Sequence, residues 1–405
     1  MRDISTLLKA TGRYYRGLAV LVLNALVILA GLELTSRVVL AVRSYLPRQE
    51  TLPDPRAASS YYATEGWAHQ YWREFLQSRK TQYHAYTVWR RAPFKGKTIN
   101  IDERGIRVTP GSDCGPSSLK VFTFGGSQMW GTGSPDWSTI PAFLRTDFHE
   151  NTGRPVCILN FGESGYASTQ SVIELIQQLQ SGNIPDIAIF TDGTGDIYSG
   201  YQSGKSGVHE NLSIIAAKLE GQGQTRMGGI LGSLTLYELI SDQVQRFSAP
   251  RAQMFLTYES AGIQADKLSK AIGQTYLGNY EIVRSIAQKF GFDYFFFWPP
   301  YISVGKKVLT DEEKTLLRGL DPSLVKLSNS VYESMEPLIP TYDNFYSLTD
   351  VFDSQQSLIW LDDAHVTPVG NSVIAERIGQ VIKTQSKRLL SSSILKVTEL
   401  GTHKR

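Results

Sequence analysis

Leu119-Lys-Val-Phe-Thr-Phe-Gly-Gly-Ser127 is the stretch that decides the fold of this 405-residue chain. A short apolar run with a β-branched and two aromatic residues reads as a strand, and it ends directly in two glycines and a serine. Three other runs have the same character: Pro155-Val-Cys-Ile-Leu-Asn160, Ile187-Ala-Ile-Phe-Thr-Asp192, and Asp293-Tyr-Phe-Phe-Phe-Trp298, the last stopped by Pro299-Pro300. Helical periodicity lies between and after them. Residues 168–179 place Val172, Ile173, Leu175, Ile176 and Leu179 on one face, and 268–290 continue through Ile272, Leu277, Ile282, Val283 and Ile286. In the C-terminal helix Thr367 suits the cap, Pro368 the first turn, and Ile374, Ile378, Val381 and Ile382 the apolar face. Strands apolar on both faces and alternating with helices predict an α/β layered domain around a parallel sheet.

Ligands in such sheets collect beyond the carboxyl ends of the strands. Four polar or glycine-rich segments fall there or at a helix entry: Gly125-Gly126-Ser127 with Gly131 and Gly133, residues 160–165, residues 192–196, and Asp362-Asp363-Ala364-His365. Ser127 sits in a sharp strand-to-helix turn, where an exposed hydroxyl can attack a carbonyl and its own N–H can help hold the oxyanion. His365, three residues after Asp362 and just before a helix cap, can present an imidazole as general base while a carboxylate orients the ring. Spacing alone leaves Asp362 and Asp363 both open for that orienting role. Gly165 can aim a backbone N–H into the same pocket. The other histidines, His69, His84, His149, His209 and His403, read as ordinary surface or core residues.

The bulk properties exclude several classes. Hydrophobic residues make up 41% of the chain, as in ordinary globular proteins, and a net charge of +3 gives no nucleic-acid surface. No metal-ligand spacing and no Gly-Lys-Ser/Thr phosphate loop occurs, so the sequence names no metal and no cofactor. The two cysteines, Cys114 and Cys157, cannot make a zinc site. If the first two strands are neighbours, an extended lead-in would set these cysteines apart by roughly 20 Å at about 3.3 Å per residue. A bridge needs Cα atoms within about 7 Å, so none is expected unless the loop at 114 folds back.

The N-terminus is the exception to this ordinary composition. Residues 17–42 are apolar apart from a few positions; these 26 residues would form a helix of about 39 Å, enough for a bilayer core of roughly 30 Å. Glu33 and Arg37 lie four apart and can pair on one face. With no small-x-small cleavage site following, the stretch reads as an uncleaved anchor. Arg2, Lys9, Arg13 and Arg16 precede it and Arg37, Arg43 and Arg48 follow. The expected topology keeps the short arm inside and sends the larger part across. The organisation read from sequence is an arm and anchor over 1–42, a linker and aromatic-rich extension over 43–118, the main domain over 119–390, and a tail over 391–405. Residues 199–207 and 220–232 read as loops around the site.

The four segments, in this order, resemble the blocks of the SGNH/GDSL hydrolase family. Gly125-Gly126-Ser127 stands for the serine block, with glycine before the serine where aspartate is usual. Asn160-Phe-Gly-Glu-Ser-Gly165 is similar to the glycine block, and Asp362-Asp-Ala-His365 to the Asp-x-x-His block. The resemblance covers roughly residues 119–384. It implies a flavodoxin-like three-layer α/β/α sandwich, Ser127 as nucleophile, His365 as base, Asp362 as its orienting carboxylate, and the Ser127 and Gly165 N–H groups as oxyanion donors. In Asp192-Gly193-Thr194-Gly195-Asp196, Gly195 stands where the family has its donor asparagine, and the Thr194 hydroxyl is a candidate substitute. With the anchor and Asn100-Ile-Asp-Glu-Arg-Gly-Ile-Arg107, the chain resembles bacterial membrane-tethered members acting outside the membrane. Three functions follow as expectations. The first is a membrane-anchored extracytoplasmic serine esterase acting on acyl groups of a surface polysaccharide or similar ester. The second is an O-acyltransferase using the same residues with a membrane partner as donor. The third is a weakly catalytic binding or assembly subunit of a polysaccharide pathway.

Overall fold

The four predicted runs form strands because alternate side chains find apolar partners on opposite faces of one sheet. In a computed structural model, residues 4–45, 54–222 and 257–389 are described. After four short strands, β1 (Thr81–His84), β2 (Val88–Arg91), β3 (Phe94–Lys95) and β4 (Asn100–Ile101), come the central ones, β5 (Leu119–Gly125), β6 (Val156–Asn160), β7 (Ile187–Thr191) and β8 (Asp293–Trp298), joined at one edge by β9 (Phe345–Ser347). Strands β5 to β9 all pair in parallel, in the order β6-β5-β7-β8-β9. Counted within the sheet this is 2-1-3-4-5, the flavodoxin-like order. Phe122, Phe124, Phe190 and Phe296 point to one face, and Val121, Ile189, Phe295 and Phe297 to the other. Register brings Phe124 opposite Phe190 and Phe190 opposite Phe296, so their rings stack across the strands at 4.6 Å between centroids.

Helices close both faces. On the phenylalanine side lie α5 (Ser168–Gln180), α8 (Ala265–Phe290) and α10 (Pro322–Met335), contributing Leu175, Tyr276, Tyr280 and Val331. On the other lie α4 (Ile140–Thr152) and α11 (Pro368–Gln385), contributing Leu144, Phe148, Ile374 and Ile378. Thr367 caps α11 by accepting from the Gly370 N–H at 3.3 Å, with Pro368 in the first turn. Three readings are corrected. Residues 199–203 are not loop but the end of α6 (Thr194–Ser203), which terminates at the left-handed Gly204. Residues 220–222, also read as loop, end helix α7 (Leu212–Gln222). Cys114 and Cys157 are disulfide-bonded, with Cα atoms 4.6 Å apart. Turns at residues 109–118 fold the chain back along β6 instead of extending it in line with β5. The Asp113 N–H donates to the Val156 carbonyl at 3.0 Å, and the Ser112 hydroxyl bonds across to Ile158.

The aromatic-rich stretch packs into the same unit. Tyr62, Tyr71, Trp72 and Phe75, the last three on α2 (Ala68–Gln77), cluster with Trp130 and Leu361. Buried ion pairs tie this extension down: Arg90 to Glu174 at 2.9 Å and Arg107 to Asp136 at 2.9 Å. Asp102 shapes the turn before Arg107 by accepting from the N–H groups of Arg104 and Ile106.

The described residues divide into two units, the larger over 54–213 and 257–389 and the smaller over 214–222 and helix α1 (Ile4–Tyr45). Within α1, Tyr14–Val42 is long and apolar enough to cross a membrane. Glu33 and Arg37 pair at 2.9 Å on its surface. Most of the linker between α1 and Asp54, the part of the 220–232 loop after Gln222, the 391–405 tail and His403 lie outside the described residues.

Candidate active site

Ser127 opens α3 (Ser127–Trp130), a single helical turn following β5. The turn demands glycine at 125: a Cβ there would lie 2.8–2.9 Å from Thr191 and Met129 atoms. On the far side, Asp362 folds the 362–365 segment into a tight turn, its Oδ1 accepting from the N–H groups of Ala364 at 3.0 Å and His365 at 2.7 Å. The Leu361 N–H closes the turn on the His365 carbonyl, and the Gln128 amide ties it to α3 through the Ala364 carbonyl at 3.0 Å. These local bonds aim the imidazole across the sheet edge.

Its Nε2 lies 2.6 Å from Ser127 Oγ, and its Nδ1 lies 2.7 Å from Asp362 Oδ2 and 2.9 Å from Oδ1. Of the two adjacent carboxylates it is therefore Asp362 that touches the ring. Asp363 points elsewhere, accepting from the Tyr301 hydroxyl at 3.0 Å. Their electrostatics diverge accordingly. Burial pushes Asp362 up, but His365 and the Arg56 guanidinium outweigh it and hold the carboxyl well below the usual range. Burial and the Asp362 charge push Asp363 up to about 6.

The three groups open onto a pocket of about 330 Å³. Gly165, at a left-handed φ of 78°, lines it, and Thr194 and Gly195 at the start of α6 line it too, so every sequence-predicted site residue borders one cavity. No side chain fits at 195: a Cβ would sit 1.9 Å from the Tyr166 carbonyl oxygen. Glycine at 195 is thus built into the packing of α6 against residue 166.

Two residues at the site escaped the sequence reading. Arg56 is gripped by Asp54 through two 2.8 Å bonds and places Nη1 3.3 Å from Asp362 Oδ2 and 3.0 Å from His365 Nδ1. It sits in a proline-rich stretch read as linker, where only the Asp54-Pro-Arg56 spacing hints at a local pair. Glu210 follows α6 and faces Gly165. Burial, with Asp363 nearby and His365 opposing, pushes its carboxyl up to about 7. Arg79 and Arg91 line the opposite wall. Of the other histidines, His84 bonds Thr87 and His149 the Arg154 carbonyl, away from the pocket. His209 bonds the Glu210 carbonyl and meets the Trp89 ring edge-on at the pocket rim. No group of three His, Cys, Asp or Glu residues arranged for a metal ion occurs among the described residues.

No family model matches the chain, and no curated protein does. Solved structures similar to it include the acetyl xylan esterase AlAXEase, at 14% identity over 65% of this chain and 100% of that one, with a TM-score of 0.35. A member of the lipolytic G-D-S-L family from Veillonella parvula is similar at 12% identity over 65% and 97%, TM-score 0.35. A carbohydrate acetylesterase family member from Sinorhizobium meliloti is similar at 13% identity over 66% and 98%, TM-score 0.33.

Proposed function

We propose that this chain is a serine ester hydrolase of the SGNH/GDSL kind, held at a membrane by α1, that removes acyl groups from a surface polysaccharide. The observation that carries the reading is the continuous contact from Ser127 Oγ through His365 to Asp362, at 2.6 Å and 2.7 Å. In the acylation step Ser127 Oγ attacks the ester carbonyl carbon and its proton passes to His365 Nε2. Asp362 stays ionised and favours the imidazolium that forms. The tetrahedral oxyanion is met by the backbone N–H groups of Ser127 and Gly165, with the Thr194 hydroxyl on the same pocket wall. Collapse expels the alcohol, which takes the proton from His365. Water, deprotonated by His365, then attacks the acyl-serine, and the acid leaves as the proton returns from His365 to Ser127 Oγ.

The proposed placement puts the larger unit outside the cytoplasmic membrane of a bacterium, with the short N-terminal arm inside. The Cys114–Cys157 disulfide supports it, because such bonds persist in oxidising compartments. The sugar polymer as substrate is supported by the polar groups that line the pocket, Arg79 and Arg91 among them, which suit a hydroxyl-rich ligand.

The test uses the full chain in detergent with p-nitrophenyl acetate, beside Ser127→Ala and His365→Ala. Release of nitrophenol by the parent and its loss in both variants is the expected result. Added oligosaccharide distinguishes the acceptor: free acetate indicates hydrolysis, whereas acetylated sugar indicates a transferase. No release from folded parent protein would contradict the reading.

A further inference from the structure

Gly195 leaves the site one oxyanion donor short of what its resemblance implies, and removing such a donor typically costs about 10² to 10³ in rate. The vacancy cannot be filled at 195 itself, where a Cβ would meet the Tyr166 carbonyl oxygen at 1.9 Å. The pocket does hold another group without an assigned task. Glu210 Oε2 lies 2.9 Å from where a Cβ on Gly165 would be. Glu210 shares the pocket with Ser127 and His365.

Burial favours the neutral form of its carboxyl. Trp89 closes over Gly165 beside it, 3.2 Å from the same Cβ position. The groups that act on Glu210 are His365 and Asp363 from the 362–365 turn, and Tyr198 of α6 feels it in return. His209 neighbours it in the chain, with its ring nitrogen bonded to the Glu210 carbonyl. The cations of the pocket, Arg56, Arg79 and Arg91, line it from the extension, and none makes an ion pair with Glu210. Among the described residues the carboxyl makes no hydrogen bond. A desolvated carboxylate without a partner is costly, whereas a protonated carboxyl can donate to a ligand oxygen.

We propose that Glu210 supplies the oxyanion donor that Gly195 cannot. The inference rests on the esterase reading above. When a substrate fills the pocket and expels water, the carboxyl is further desolvated and its proton held more firmly. It donates that proton as a hydrogen bond to the carbonyl oxygen as negative charge develops, without transferring it. Once ionised, the same group would repel the oxyanion. Glu210 therefore imposes an alkaline limit on the rate, which a threonine hydroxyl in its place would not.

The test is the pH profile of kcat and KM for p-nitrophenyl acetate with the full-length parent, Glu210→Gln and Glu210→Ala, each shown folded by near-ultraviolet circular dichroism. The parent should lose kcat on the alkaline side as Glu210 ionises. Glu210→Gln, a permanent N–H donor, should stay within about threefold of the parent at pH 6 and lose the alkaline fall. Glu210→Ala should drop kcat by about 10² with little change in KM. Ser127-dependent hydrolysis indifferent to Glu210→Ala would overturn this inference alone, as would a glutamine variant as impaired as the alanine one. No Ser127-dependent hydrolysis in the parent would overturn the esterase reading and the inference with it.

Discussion

The carbonyl oxygen of Tyr166 lies 1.9 Å from the position a Cβ on Gly195 would take. The contact joins the loop that carries Gly165 to the first turn of α6, so the two walls of the pocket lean on each other through a missing side chain. Restoring asparagine at 195 should therefore damage the site instead of improving it. Gly195→Asn is expected to destabilise the fold by about 1–3 kcal/mol through overpacking and to lower kcat. Urea unfolding and esterase kinetics on the same preparation check both.

Arg56 connects the extension to the proposed catalytic carboxylate. Arg56→Gln removes the cation beside Asp362 and leaves the buried Asp54 carboxylate without its fork of hydrogen bonds. The expected cost is about 2 kcal/mol in stability from the unsatisfied group. A loss of roughly tenfold in kcat is expected as Asp362 and His365 lose their fixed geometry. KM should change little, because Arg56 acts through the carboxylate and the ring.

The Cys114–Cys157 bridge closes a loop with a sequence separation of 43. Loop-closure entropy for that length predicts about 4 kcal/mol of stabilisation. The double variant Cys114→Ser/Cys157→Ser should lower the free energy of unfolding by an amount of that order. Reductant should do the same to the parent and nothing to the variant.

Asp192 and Asp196 form a buried acidic pair beneath the site. Asp192 accepts from the Ser171 hydroxyl at 2.8 Å, and its other oxygen has no partner. Burial and the Asp196 charge push Asp192 well above the usual range; burial pushes Asp196 up to about 6 despite the hydrogen bonds it accepts from Ser168. For acids whose folded pKa is raised, stability is fully present below the unfolded value of about 3.9 and is lost as pH rises through the folded one. Asp192→Asn should therefore raise the melting temperature at pH 8 and change it little at pH 4. Thermal melts at the two pH values decide it.

Much of the scaffold was legible because four strands are apolar on both faces and end in glycine or polar clusters. Ser127, Asp362 and His365 were legible as a candidate set because their order along the chain matched a set of blocks; spacing alone left Asp362 and Asp363 both open, and the resemblance pointed to Asp362. Local bonding within residues 362–365 makes that choice, and spacing carries no trace of it. The edge strand β9 went unread because Phe345-Tyr-Ser347 is too short to show a period. The glycine and serine content of residues 199–203 masked the end of α6. The disulfide was not expected because the lead-in from Cys114 to the first predicted strand was taken as extended, and the loop at 114 instead folds back. Arg56 lies 309 positions from His365, and no local signal links such distant partners.

The most direct test of the central claim is covalent trapping of the full-length chain with diisopropyl fluorophosphate, followed by peptide mass spectrometry. Ser127 Oγ should attack phosphorus and expel fluoride, leaving one diisopropylphosphoryl group on the peptide containing Ser127. His365→Ala should slow that reaction by about 10² or more, since the proton on Oγ then has no acceptor. A folded parent that stays unmodified, or is modified at a serine other than Ser127, would contradict the account.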